Sequence, residues 1–239
     1  GNPGTGKTTV ARIVGSIFGA MGVLEKGHLV ETDRSGLVAE YAGQTAAKAN
    51  KTIDEALDGV LFVDEAYSLV AESGDDPFGN EAVQTLLKRM EDDRDRLVVV
   101  LAGYPRPMDR LLETNPGLSS RFSRHVKFPD YSAADLGRIF HIFCRKNRYR
   151  VPPPVRAKLL LGFQWLLKHR DEHFGNGRLV RNVFESAIRR LANRIVNLAD
   201  LTEELLTTFA PEDVEMPDLP AVLWQDLDRP EREDRIDCP

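Results

Sequence analysis

At 239 residues, the chain holds one large domain or a medium and a small one, and it is long enough to bury a sizeable core. Hydrophobic residues at 42% and charged residues at 29% exclude a mostly disordered chain, a collagen-like repeat and a disulfide scaffold. The net charge of −5 hides an uneven distribution, because residues 140–195 carry 13 basic and 3 acidic side chains between acidic flanks. That block reads either as a solvated helical surface or as a contact for phosphates or an acidic neighbour. The longest strongly apolar run, Leu97–Ala102, falls far short of the ~20 residues a membrane span needs. No signal peptide is evident, and two distant cysteines, Cys144 and Cys238, fit a reducing, cytoplasmic compartment.

The chain opens on Gly1-Asn2-Pro3-Gly4-Thr5-Gly6-Lys7-Thr8, which matches G-x-x-x-x-G-K-[ST], a phosphate-binding loop. Its glycines let backbone N–H groups turn inward around phosphate oxygens. Lys7 would reach the β- and γ-phosphates, and the Thr8 hydroxyl would ligate Mg²⁺. The following stretch, with Thr9, Val10, Ile13, Val14, Ile17 and Phe18, has helical spacing and would point its positive dipole end at the phosphates. Such a loop joins a strand to a helix, and no residue precedes Gly1. The expectation is a fragment whose upstream, central strand is missing.

Further along, the periodicity predicts strands at His28–Glu31, Val60–Val63, Leu97–Ala102 and Val126–Phe128. Helices are expected at Gln44–Leu57, Asn80–Asp92 and Met108–Glu113. Alternating strands and helices imply a parallel sheet covered on both faces. After Ser132 the strands stop, and Ala133–Asn147, Pro154–Arg170 and Leu179–Val196 read as amphipathic helices. The expected organisation is an α/β domain over 1–131, a small all-helical domain over 132–209 and an acidic, partly disordered tail over 210–239.

Val60-Leu61-Phe62-Val63-Asp64-Glu65 is an apolar strand ending in two acids, the Walker B pattern. Asp64 would hold the metal and Glu65 would orient and polarise the attacking water. Together with the phosphate loop, this specifies a nucleoside triphosphatase. His169-Arg170-Asp171-Glu172-His173 matches H-x-x-E-H, but a third zinc ligand is not evident and a Gly-rich break follows. Cys144 reads as a packed thiol, Trp165, Leu166 and Leu167 as core, and Asp92–Arg96 as a solvated turn.

Gly1–Thr8, Val63–Glu65, Leu101-Ala102-Gly103-Tyr104, Asn115–Phe122 and Gly175–Asn182 occur in the order found in the AAA+ ATPases of the CbxX/CfqX family, which the chain resembles over residues 1–216. That family has CbbX-, SpoVK- and EccA-like members. The resemblance implies a P-loop NTPase sheet domain with a helical lid. It also implies ATP and Mg²⁺ as cofactors, ATP hydrolysis, a hexameric ring and a protein substrate that is remodelled or threaded. It places Asn2, Pro3, Gly4, Thr5, Gly6, Lys7, Thr8 and Thr9 around the nucleotide. Arg121 resembles the finger that reaches a neighbour's γ-phosphate, with Arg124 as second candidate. Arg178 resembles the sensor-2 arginine, with Arg181 as alternative, and Tyr104 stands where most relatives of the wider class carry an Asn, Thr or Ser. Tyr41-Ala42-Gly43 resembles the pore loop that grips an extended polypeptide, with Ala in the middle position. The alternative is a DNA-acting ATPase of clamp-loader or helicase-loader type using the basic block, but no nucleic-acid module is evident in residues 132–239.

Overall fold

The computed structural model describes residues 1–70, 76–198 and 200–216. The chain forms two compact units, Gly1–Pro129 and Asp130–Pro239.

In the first unit, α1 (Lys7–Ala20) leads to β1 (Leu29–Thr32), α2 (Arg34–Leu37), α3 (Thr45–Glu55) and β2 (Gly59–Val63). A 3-10 turn (Ala66–Leu69), α4 (Pro77–Asp92), β3 (Leu97–Leu101), α5 (Pro105–Thr114) and α6 (Pro116–Arg121) follow. The strands form a parallel sheet in the order β1-β2-β3. Every residue of β2 is buried, as a continuous apolar run between two parallel neighbours requires. Successive side chains of β2 face opposite sides. Phe62 packs with Ala11 of α1, whereas Leu61 and Val63 join the core with Ala49, Ile53, Val83 and Leu86 from α3 and α4. Thr32, Val63 and Leu101 share one register level, so Asp64 leaves the sheet at its carboxyl edge.

The opposite edge is stapled. Asp58, at φ 67°, accepts a bidentate pair of bonds from Arg96 at 2.8 and 2.9 Å, while its backbone carbonyl accepts from Lys26 and Gly27. The Asp92–Arg96 turn therefore carries a structural tie as well as solvated charge.

The sequence reading is corrected at Val126–Phe128, which is not a strand. A strand exists through its ladder of bonds to a neighbour. Among the described residues none pairs with this stretch, and Val126 is 73% exposed. Two short helices, α2 and α6, were not legible in the periodicity because neither is long enough to show one.

The second unit holds α7 (Ala133–Lys146), α8 (Pro153–Lys168), α9 (Gly177–Ile195) and α10 (Glu203–Thr207). Leu136, Phe140 and Cys144 recur at four-residue spacing on α7 and meet Val155, Leu159 and Phe163 of α8 and Val180, Phe184 and Ala187 of α9. Phe140 and Phe184 meet edge to face at 5.8 Å, and Tyr149 stacks on Phe209 at 4.9 Å. Ser132 caps α7, and Pro153 starts α8. Helix α8 ends at Lys168, so His169 and His173 do not share a helix face, and His169 instead stacks on Trp165 at 4.2 Å.

Residues 210–216 dock onto α9. Asp213, 1% exposed, accepts from the Arg194 guanidinium through both carboxylate oxygens at 2.9 Å, and Arg190 pairs with Glu215 at 3.5 Å. Lys158 donates to the Pro211 carbonyl at 2.7 Å. Part of the basic block is thus matched by this unit's own acidic segment, which weakens the DNA-acting alternative. The remainder of the acidic tail, from residue 217, lies outside the described residues. Among the described residues no helix is long and apolar enough to cross a membrane.

Candidate functional site

The phosphate loop is built from backbone conformation. Gly4 and Gly6 adopt φ 70° and 91°, a left-handed region that glycine enters without a Cβ clash. Thr5 is 3% exposed and turns its hydroxyl inward to the Asn2 carbonyl at 2.8 Å. Gly6 is the N-cap of α1 and supplies no side-chain acceptor to the first turn. A helix start of this kind suits an anion. The Lys7 ammonium donates to the Gly1 and Asn2 carbonyls at 2.8 and 3.0 Å, poised over its own loop. The terminal nitrogen of Gly1 lies 3.0 Å from the Gly103 carbonyl, just beyond the carboxyl end of β3.

The two acids emerge from β2 at that same edge. The Asp64 amide donates to Thr32 of β1, and the Ala66 amide donates to Ala102 beyond β3. Between them Glu65 is forced to φ 48°, ψ 41°, a left-handed conformation that is uncommon outside glycine. Its amide donates to the Asp64 carboxylate at 3.1 Å, and its own side chain is exposed. Strain at an exposed acid of this kind makes it a candidate for function. The residues therefore fit a nucleotide with a divalent cation: a glycine-turned loop, a helix start and a lysine for phosphate oxygens, and the hard oxygen donors Thr8 and Asp64 for the metal.

Tyr104 is the N-cap of α5, and its ring lies 6.2 Å from that of Tyr67. Gly103 permits this contact, since a Cβ there would come within 2.9 Å of Tyr67 and Met108. Burial, and then the charge of Glu65 ahead of Asp64, push the Tyr67 phenol above its ordinary value, so it stays protonated beside the two acids. Sequence reasoning missed Tyr67, because an aromatic three residues beyond Asp64 carries no pattern of its own.

The remaining candidates lie elsewhere. Tyr41 is 68% exposed in a turn closed by Gly43 at φ 76°, whose missing Cβ faces open space. Arg121 ends α6, a helix capped by the Asn115 side chain, and sits 3.9 Å from Glu91. It shares an open groove of about 470 Å³ with Lys88, Gln84 and Thr114, and none of the phosphate-loop residues, Asp64 or Glu65 lines that groove. Arg124 is also exposed.

In the second unit, Arg178 is exposed in the first turn of α9, and Arg181 lies over the Phe143 ring at 5.8 Å. The start of α9 is fixed by Asn176, which is fully buried at φ 45°. Its amide group donates to the Asp130 carboxylate and the Phe174 carbonyl at 2.8 and 2.9 Å, and its carbonyl oxygen accepts from the Tyr131 amide at 2.9 Å. The Gly-Asn-Gly run was legible as a break in the helix, but the partners of Asn176 45 and 46 positions away were not.

A parallel sheet with a glycine loop, a capless helix start and paired acids at one carboxyl edge defines the P-loop nucleoside triphosphatases. A family model described as ATPase family associated with various cellular activities (AAA) matches residues 1–130, and one described as AAA lid domain matches residues 132–222. The chain belongs to the AAA family of ATPases, in its CbxX/CfqX-like branch. Stage V sporulation protein K of Bacillus subtilis (strain 168) is 44% identical over 216 residues, covering 90% of this chain and 66% of that protein. A protein CfxQ homolog of Guillardia theta is 43% identical, covering 90% and 73%. The ESX-1 secretion system protein EccA1 of Mycolicibacterium smegmatis is 46% identical over 209 residues, covering 84% of this chain and 36% of that protein. The chain thus spans about two thirds of the sporulation protein and about a third of the secretion protein.

Two solved structures share the fold. The FIGL-1 AAA domain in complex with ADP has a TM-score of 0.54 at 19% identity, covering 98% of this chain and 72% of that one. A RuvB mutant from Thermotoga maritima has a TM-score of 0.55 at 17% identity, covering 86% and 58%.

Proposed function

We propose that this chain is the motor of a cytoplasmic, hexameric ring that couples ATP hydrolysis to remodelling or threading of a protein partner. The observation that carries the reading is the emergence of Asp64 and the exposed, left-handed Glu65 at the carboxyl edge of the sheet. In this reading the loop Asn2–Thr9 holds the triphosphate, with Lys7 leaving its loop carbonyls for phosphate oxygens. Thr8 and Asp64 hold Mg²⁺, which when bound offsets the phosphate charge. Glu65 orients and polarises the attacking water, while Tyr104 and the neutral Tyr67 phenol border that position. Arg178 reports on the nucleotide from the lid.

Arg121 acts on the neighbouring subunit's nucleotide. Its half-open side chain, its loose ion pair and a groove that excludes its own subunit's phosphate loop support this. Tyr41 offers a large, low-entropy contact to an extended polypeptide, and Gly43 gives its loop room to move.

The test is the specific ATPase rate against protein concentration, for wild type and Arg121→Ala. The rate should rise with concentration, and the variant should lose about 10³-fold. A concentration-independent rate indifferent to Arg121 would mean a self-contained site and remove the finger, the pore loop and the ring together.

A further inference from the structure

Arg34 begins α2, three residues before the segment that leads into the Tyr41 turn. Its Nη1 donates to the Ser68 and Leu69 carbonyls at 2.8 and 3.1 Å and pairs with the Asp76 carboxylate at 2.6 Å. Ser68 and Leu69 belong to the 3-10 turn whose N-cap is Glu65. Asp76 caps α4 through the Gly79 amide at 2.9 Å, and the Arg34 guanidinium beside it holds its carboxyl below the usual carboxylate range. The joint is tight, because a Cβ on Gly79 would collide with the Leu69 carbonyl and crowd Asp76 and Arg34.

Arg34 therefore ties three things at one guanidinium: the turn that presents the strained Glu65, the start of α4, and the helix from which the Tyr41 loop departs. The far side of that loop is held by α3. The Ala39 amide donates to the Thr45 hydroxyl at 3.2 Å, and Lys48 donates to the Val38 carbonyl at 3.1 Å. The loop is thus anchored at both roots and open at its tip. Asp33, Arg34, Val38, Glu40, Glu65 and Ser68 line one continuous groove of about 450 Å³ between the catalytic acid and the loop.

We infer that Arg34 is a positioning residue that transmits the nucleotide state of the Asp64–Glu65 turn to the Tyr41 loop. A shift of that turn moves the Ser68 and Leu69 carbonyls. Arg34 is bonded to both and draws α2 with them, so the loop is displaced at one root while α3 holds the other. A network with two discrete arrangements carries coupling of this kind. Lysine would keep the charge, but its ammonium on a shorter side chain would not place a nitrogen where Nη1 meets all three acceptors. The inference rests on the proposed nucleotide site, and it is independent of which polypeptide the loop grips.

The experiment is amide hydrogen exchange over residues 38–44 of the full chain, with and without a non-hydrolysable ATP analogue and Mg²⁺. It compares wild type, Arg34→Gln and Arg34→Lys. Wild type should show a nucleotide-dependent change in loop exchange, and Arg34→Gln should reduce that change ~5-fold or more, the scale of a typical coupling energy. Fluorescent ADP affinity should stay within about 3-fold, because Arg34 touches no group assigned to the phosphates. Should Arg34→Gln lose exchange protection in β2, it has unfolded, and the same reduction in Arg34→Lys then decides. A nucleotide-dependent change that persists in the folded variants would overturn the inference and leave the motor reading intact. A wild-type loop blind to nucleotide would also overturn it, while the concentration dependence of the ATPase would still judge the shared site separately.

Discussion

Glu65 and Asn176 share a positive φ but not a ψ, since Glu65 is left-handed at ψ 41° and Asn176 sits at ψ −119°. Both hold positive φ, at 48° and 45°, without being glycine. Glu65 is exposed at the end of the central strand, and its carboxylate is open to whatever approaches. Asn176 is fully buried, with its side-chain amide bonded to three partners. The sheet unit holds its strained acid at an open edge, where chemistry is proposed, whereas the lid uses a different positive-φ geometry to lock a turn. Asp58 makes the point again from the structural side: it too has positive φ, and it is buried against Arg96. What separates a site from a staple is whether the strained residue's polar atoms are already satisfied.

The largest expected effect tests the open member of the pair. Glu65→Gln keeps the shape and the exposure but removes the proposed base, so ATPase should fall by roughly 10²–10⁴-fold while stability stays within about 0.5 kcal/mol. Turnover is read by phosphate release and stability by a urea midpoint. A strongly destabilised Glu65→Gln would erase the contrast, because the acid would then be a staple.

The lid should answer in the opposite currency. Phe140 is 1% exposed and touches both Phe184 and Phe209. Phe140→Ala should cost about 3–5 kcal/mol in unfolding of the helical unit, the range for deleting a buried aromatic. Calorimetry or exchange protection of α7 and α9 reads this directly. A loss confined to ATPase, with the lid as stable as before, would contradict the division of labour.

Asn176 sharpens the comparison further. Asn176→Ala removes the three bonds and keeps a Cβ at positive φ, for about 2–3 kcal/mol in all. Asn176→Gly relieves the backbone and removes only the bonds, so it should be about 1 kcal/mol milder. Equal costs in urea denaturation would mean that φ is irrelevant and the bonds carry the lock.

The legibility of these features follows their range along the chain. Val60–Val63 and Leu97–Ala102 were readable as buried strands because a short apolar run is a local signal, and each lies within a residue of its observed bounds. The glycine turn and the two acids after β2 were readable as motifs because their spacing is a local pattern. Val126–Phe128 was misread because a strand depends on a neighbour that local sequence cannot supply. Arg34 and Asn176 were invisible as organisers, since their partners lie 34 to 46 residues away and leave no periodic trace.

The smallest effect concerns a polar group that the lid buries without any partner chemistry to perform. Cys144 is fully buried among Leu136, Phe140 and the rest of the lid core, and burial pushes its thiol up to about 12. The folded state therefore holds the proton that an unfolded chain, with a thiol near ~8.5, gives up. This contribution is complete below that unfolded value and is lost as pH rises through it toward the folded one. Lid stability should consequently decline from about pH 8.5 upward, and Cys144→Ala should flatten that slope even though the variant is less stable at neutral pH. Urea midpoints of the two proteins between neutral and alkaline pH give the comparison. Parallel slopes would mean that the thiol ionises in place, so that the lid interior is open enough to solvate a charge and its contrast with the sheet edge is one of degree.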